Sequence, residues 1–220
     1  LHDALPILGG TDSSGNSGSE QGAGNTGDSS TSTEKYQIQN NAVLLRNTSD
    51  IDWNELQNQA ENLYKSWTTI TLDLNTMNVT SENILAYNTN LDNLMVSLKE
   101  KNKVNSAICL ANMYSLIPKY TNEISSDTAK SKLENVKSNI IFAYSIVETD
   151  RWDDVLKLLG QAETDLTELM TMKENLSTMK KPKINKAYVL LKELIKSSND
   201  KNVDIFYLKY INLIEELDNL

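Results

Sequence analysis

Residues 53–77 read WNELQNQAENLYKSWTTITLDLNTM. The apolar side chains fall at Trp53, Leu56, Ala60, Leu63, Trp67, Ile70, Leu74 and Met77, at alternating steps of three and four. A half-buried strand would alternate every second residue, whereas steps of three and four return to one side of a 3.6-residue helix. The stretch therefore predicts a single helix of about seven turns with one apolar stripe, and Ser49 or Asp50 is its expected N-cap.

The same spacing recurs along the rest of the chain. Ser81 is expected to cap a second helix carrying Ile84, Tyr87, Leu91, Leu94 and Leu98. A third runs from about Asn102 with Val104, Ala107, Ala111 and Tyr114, and Pro118 should end or kink it at Ile117. A fourth, after a cap at Ser126 or Asp127, carries Ala129, Leu133, Val136, Ile140, Ala143 and Val147. Asp150 should cap a fifth, with Trp152, Val155, Leu159, Ala162, Leu166 and Leu169, ending near Ser177. Pro182 suits the first turn of a sixth, with Ile184, Ala187, Leu191 and Leu194. Asp200 should cap a seventh, with Val203, Phe206, Tyr210, Leu213 and Leu217. Short links between apolar-striped helices favour antiparallel neighbours. The fold class is all-α, an antiparallel bundle of about seven helices over residues 49–220.

The first and fifth helices overlay at a shift of 99, with Trp53 on Trp152, Leu56 on Val155, Ala60 on Leu159 and Trp67 on Leu166. A shift of 100 places Ile84 on Ile184 and Leu91 on Leu191. Two three-helix units over 50–118 and 150–220, joined by the fourth helix as a linker, would account for this, although any two such stripes can be slid into register. A tetratricopeptide array would repeat near every 34 residues with short helices. The long first and fifth helices argue against that strict motif and leave a looser helical-hairpin solenoid open.

Ahead of the bundle the composition changes. Residues 9–34 hold seven of the eight glycines among Ser, Thr, Asn and Asp, with no apolar side chain larger than Ala23. Such a stretch cannot bury enough surface to offset the entropy of ordering it, so 1–34 is expected to be a disordered tail. Tyr36, Ile38, Ala42 and Leu44 suggest that 35–48 is a strap or linker, extended or a short helix, lying on the bundle.

Composition narrows the chemistry. The formal charge is −9; the first 50 residues carry six acids and two bases, leaving 24 and 19 for the remainder. A mildly acidic chain without a large basic face is a poor ligand for nucleic-acid phosphates. No apolar run approaches the ~18 residues that cross a bilayer. His2, the single histidine, lies in the tail, which removes a histidine triad, a histidine-rich zinc site and the Glu-x-x-His di-iron pattern from the bundle. Gly-x-Gly-x-x-Gly and the phosphate-loop pattern are both lacking.

Single features read as structure. Cys109 beside Ile108 is expected to be a buried, inert thiol, with Lys101 and Lys103 two turns away. Asp153 and Asp154 suit a helix N-terminus through its dipole, Glu215 and Glu216 lie near the end of the chain, and Lys180, Lys181, Lys183 and Lys186 make a basic corner with Tyr188. Trp53 and Trp152 begin their helices and could line an open end of the bundle. The nine tyrosines are the one positive hint of a binding surface. No residue is assigned a catalytic, cofactor-binding or metal-binding role, no cofactor is expected, and the chain reads as no enzyme.

A Gly/Ser/Thr run at 9–34 set before a helical domain, with 19 lysines to 2 arginines and 26 asparagines, resembles uncharacterised helical extracytoplasmic lipoproteins of clostridia-like Gram-positive bacteria. The resemblance is one of layout and composition, and no functional residue carries over. It implies a cell-surface or membrane-anchored bacterial module, touching the membrane only through a lipid anchor upstream. The opening Leu1–Ile7 looks like an adapter-derived start, so the true beginning is expected upstream. Cysteine usage is equally compatible with the cytoplasm. The functional expectation is a non-catalytic tethered interaction or structural module with a protein or peptide partner. The alternative is a small-molecule or peptide sensor with a pocket inside the bundle.

Overall fold

A computed structural model describes residues 51–172 and 180–220. The expected tail at 1–34, the strap at 35–48 and the expected helix end near Ser177 lie outside the described residues.

Among those residues are eight α-helices: α1 Trp53–Thr76, α2 Ser81–Lys99, α3 Lys103–Tyr114, α4 Ile117–Ile124, α5 Thr128–Ile146, α6 Trp152–Thr171, α7 Lys180–Asn199 and α8 Val203–Asp218, with one 3-10 turn at Val147–Thr149. The count exceeds the sequence reading by one because the third predicted helix breaks at Ser115 and Leu116 and restarts as α4. Pro118 sits in the first turn of α4, where a missing N–H costs little. The break preserves register along α2. Ser97 Oγ meets Ser106 Oγ at 2.9 Å, the Tyr120 hydroxyl donates to the Asn83 carbonyl at 2.9 Å, and the Thr80 N–H donates to Glu123 Oε2 at 2.6 Å. α3 and α4 thus behave as one kinked helix lying antiparallel to α2.

One expected cap holds: Asp127 accepts from the Lys130 N–H at 2.9 Å. Asn102, the expected start of the third helix, caps α3 and accepts from the Asn105 N–H at 3.0 Å. Four expected caps are corrected. Asp52, rather than Ser49 or Asp50, caps α1, accepting from the N–H groups of Asn54 and Glu55 at 3.1 and 3.0 Å. Ser81 is already inside α2, and its N-cap Thr80 makes no side-chain cap bond. Asp150 takes a left-handed conformation (φ 60) and instead accepts from the Trp152 indole N–H at 3.0 Å. Asp200 still donates its N–H to Lys196 at 3.2 Å, so the cap of α8 falls two residues later, on Asn202, which accepts from the Ile205 N–H at 3.0 Å. In each case the true cap is the residue that has already left helical dihedrals, a position periodicity locates only to within a turn.

The helices α5, α6, α7 and α8 close a ring, each packing on the next and α8 returning to α5. Ion pairs fix the registers. Lys186 meets Glu216 at 2.6 Å and Lys209 meets Glu193 at 2.9 Å between α7 and α8, while Lys192 meets Glu163 at 2.8 Å between α6 and α7. Inside lies a large apolar core, including Val136, Ile140, Val155, Leu159, Leu166, Leu191, Leu194, Phe206 and Leu213. A second core gathers Trp53, Leu56, Trp67, Tyr87, Leu91, Leu94, Leu98, Met113 and Tyr120 from α1 to α4. The fourth predicted helix, α5, packs on α3 and α4 as well as on α6 and α8, and so forms a wall of the second core.

The hairpins α2–α3 and α7–α8 share one geometry at a shift of 100. Positions 84, 87, 91, 94, 97 and 98 are buried, and so are 184, 187, 191, 194, 197 and 198. Both corners are Schellman turns. Lys101 and Lys201 adopt φ 55 and 51, and the N–H groups of Asn102 and Asn202 reach back to the carbonyls of Ser97 and Ser197 at 2.8 and 3.3 Å. A left-handed residue with a Cβ costs about 1 kcal/mol relative to glycine. Lys101→Gly and Lys201→Gly should each raise unfolding free energy by about that much, seen as a higher urea midpoint at unchanged slope. A fall in midpoint would mean that the corner is built differently.

Candidate functional site

Eight of the nine tyrosines lie in described residues, and only Tyr64 is exposed, at 47%. The expected aromatic contact surface is instead turned inward, because a ring on a core stripe buries its apolar face and needs only one partner for its hydroxyl. Two groups result.

In the first unit Trp67 of α1 stacks on Tyr87 of α2 with ring centroids 3.7 Å apart, and Tyr120 of α4 lies 6.3 Å from Trp67. The Trp67 indole N–H donates to Asn88 Oδ1. The carboxylate of Glu123 accepts from the Thr80 N–H, the Thr80 hydroxyl (2.9 Å) and the Asn83 amide (2.6 Å), which satisfies the start of α2 that Thr80 leaves uncapped. Those bonds hold the Glu123 carboxyl below its ordinary range. Tyr87 is fully buried, and its hydroxyl has no hydrogen-bond partner. Burial first, and then the neighbouring Tyr120, push its ionisation far up.

The second group lies where α3 and α8 both meet α5. Both run antiparallel to α5. Glu148, just past the end of α5, accepts from Lys103 Nζ of α3 at 2.7 Å and from the Tyr207 hydroxyl of α8. The Lys103 ammonium also stands 5.7 Å from the Tyr207 ring centroid. Toward the other end of α5, Tyr114 donates to Glu134 at 2.8 Å, and the buried Lys137 pairs with Asp218 at 2.9 Å. Tyr144 stacks on Tyr210 at 4.5 Å. Small side chains let the helices approach: Ala111 packs with Tyr114 and Ile141. Burial raises Tyr114, Tyr144 and Tyr210 well above the usual phenol range, with Glu134, Glu148 and Tyr144 as the respective next causes.

Among the described residues, the side chains singled out in the sequence form no common cluster, although Lys186 meets Glu216. Cys109 is buried in the first core, its thiol pushed up by burial and only partly offset by Ser97, which suppresses thiolate chemistry. Asp154 pairs with Arg151 at 2.7 Å in the first turn of α6. Glu216 holds Lys186, and Lys183 donates to the Asn219 carbonyl at 3.0 Å, so these two lysines of the basic corner serve the α7–α8 contact. Trp53 and Trp152 are buried and line no open end. Glu163 is held low by Lys192 first and also by Tyr188. Among the described residues, no three or more His, Cys, Asp or Glu side chains are placed to share a metal ion, and no helix is long and apolar enough to cross a membrane. What the sequence reading missed are Glu123, Glu148 and Tyr87; the first two join helices far apart in sequence, and only a stripe position marked the third.

Compared with protein-family models, with curated proteins and with solved structures, the chain finds no match.

The tyrosine arrangement sets the alkaline limit of the fold. For Tyr87, Tyr114, Tyr120, Tyr144 and Tyr210 the folded-state value lies above that of an unfolded tyrosine, near ~10. Their contribution is intact below that pH and is lost as pH rises above it. Helical circular dichroism should hold to pH ~10 and then collapse cooperatively, with tyrosinate absorbance rising in the same step. Stepwise phenol ionisation with the helices intact would contradict the burial. Tyr87→Phe removes an unpartnered buried hydroxyl and keeps the ring, so its unfolding free energy should match or exceed wild type by up to about 1 kcal/mol, read as an equal or higher thermal midpoint.

Proposed function

We propose that this chain is a tethered, non-catalytic helical module that acts by contact with a protein or peptide partner on the extracytoplasmic side of a bacterial cell. The reading is carried by the composition of 9–34, a glycine-rich run set before a bundle whose charged groups hold its own helices together. Glu148, Asp218, Glu216 and Glu163 each face a lysine across a helix–helix contact rather than a shared reaction centre. The resemblance to clostridial lipoproteins supports the location.

A second reading, a sensor for a small molecule or peptide, draws on the unpartnered hydroxyl of Tyr87, whose ring stacks on Trp67. A ligand presenting one acceptor there would satisfy the phenol. In that case Tyr87→Phe would weaken ligand-induced quenching of tryptophan fluorescence while leaving the empty fold intact.

The location is tested in cells that carry the gene. Intact cells are treated with an external protease and then fractionated. The module should be found with the membrane fraction and be cut from intact cells within the glycine-rich run. A chain that stays protected until lysis and then appears in the soluble fraction would end this reading.

A further inference from the structure

The outer face of α2 carries a stripe of its own. Glu82, Leu85, Thr89, Asp92, Val96 and Lys99 recur at steps of three, four, three, four and three, and all six are exposed. Leu85 and Val96 are 64% and 55% exposed, while the opposite stripe of the same helix is buried in the first core. Among the described residues Glu82, Asp92 and Lys99 make no ion pair. The steps read the same in both directions, so a copy of the stripe laid antiparallel on itself matches position for position. Glu82 then meets Lys99, Leu85 meets Val96 and Thr89 meets Asp92, each pair occurring twice. Sliding one copy by seven residues sets Glu82 or Val96 against Asp92, so one register is favoured over its neighbours. The α7 hairpin shows no such match. At a shift of 100 its positions include Asn185, Lys192 and Lys196 without an acid, and Lys192 is already held by Glu163 at 2.8 Å.

We propose that α2 is the contact through which two copies of this chain associate, antiparallel, about a two-fold axis that passes between Thr89 and Asp92. A two-fold contact uses one patch on both partners and needs that patch to be complementary to itself. This stripe meets the condition in charge and in apolar surface alike: an acid at one end faces a base at the other, and Leu85 faces Val96. Antiparallel helices that share a three-four stripe pack along their length at about 20°. The polar pair at the centre fixes the register at a cost in stability. The 19 residues of α2 make about 28 Å of helix. One strip of that length falls short of the ~1,200 Å² of a standard interface, so the dimer is weak and reversible. It needs neither the tether nor the cell-surface location, and its failure would leave both standing.

Sedimentation equilibrium on the full chain tests this. The mass should climb from 24.7 kDa toward twice that value between about 1 and 300 μM. Leu85→Asp should stay monomeric with its helical circular dichroism unchanged, since the side chain is outside the core. Glu82→Lys and Lys99→Glu each set like charges together at both symmetry-related contacts and should weaken the dimer about tenfold. The Glu82→Lys/Lys99→Glu chain should regain wild-type association, and the two single variants, once mixed, should pair with each other more tightly than either pairs with itself. A wild-type chain that is monomeric throughout overturns the proposal. A dimer indifferent to Leu85→Asp and to the charge exchanges overturns it equally and assigns the association to another face. Single variants that weaken the dimer without rescue by the double exchange would end the antiparallel register.

Discussion

α5 presents two unlike faces, and the relation between the halves of the molecule follows from that. One face, Val136, Ile140 and Ala143, continuing into Val147, closes the second core. The other carries Glu134, Lys137 and Ile141, continued past the helix end by Glu148, and receives α3 and α8 side by side. The first face contributes non-directional burial on the order of 1.5–3 kcal/mol for each large side chain. The second contributes little net energy for its area, because ion pairs must overcome desolvation, but it fixes orientation: an acid opposite the wrong residue would be buried without a partner. Glu148 faces Lys103 and Tyr207 while Lys137 faces Asp218, so α8 is held at two points three turns apart.

The corners and the kink serve the same end. The Schellman turns at Lys101 and Lys201 reverse the chain in two residues, which sets α3 on α2 and α8 on α7 in matched registers. The break before Pro118 redirects α4, which packs on α5 while Tyr120 comes within 6.3 Å of Trp67 and Glu123 satisfies the first turn of α2. A straight third helix would have left both the aromatic stack and that helix end unsatisfied. Here a residue that weakens local helix geometry improves the tertiary contact.

For function, the direction of the tyrosines matters most. Read along the sequence, nine phenols suggest a sticky surface. In the fold Tyr114 and Tyr207 donate to carboxylates on or just beyond α5, Tyr120 donates to a backbone carbonyl, and Tyr188 donates to Glu163. They act as hydrogen-bonding core residues that specify which helix sits where. The charged side chains singled out from the sequence follow the same logic, since Asp154, Glu216 and Lys183 find partners within a turn or on the adjacent helix.

The sequence by itself determined the helical class, because a three-four apolar period can be buried in no other regular conformation, and it located nearly every stripe residue of both cores. It also held the recurrence in Leu94, Ser97, Lys101 and Asn102 against Leu194, Ser197, Lys201 and Asn202, a sharper signal than the apolar stripes because it encodes one turn. What it could not supply were the caps at Asp52 and Asn202, the restart at α4, the place of α5 as a wall of the second unit, and the partners of Glu123 and Glu148. Those depend on which helices become neighbours. Periodicity is a local property of one helix, whereas an ion pair, a left-handed corner or an orphaned phenol is defined only by the side chains that other helices bring to it.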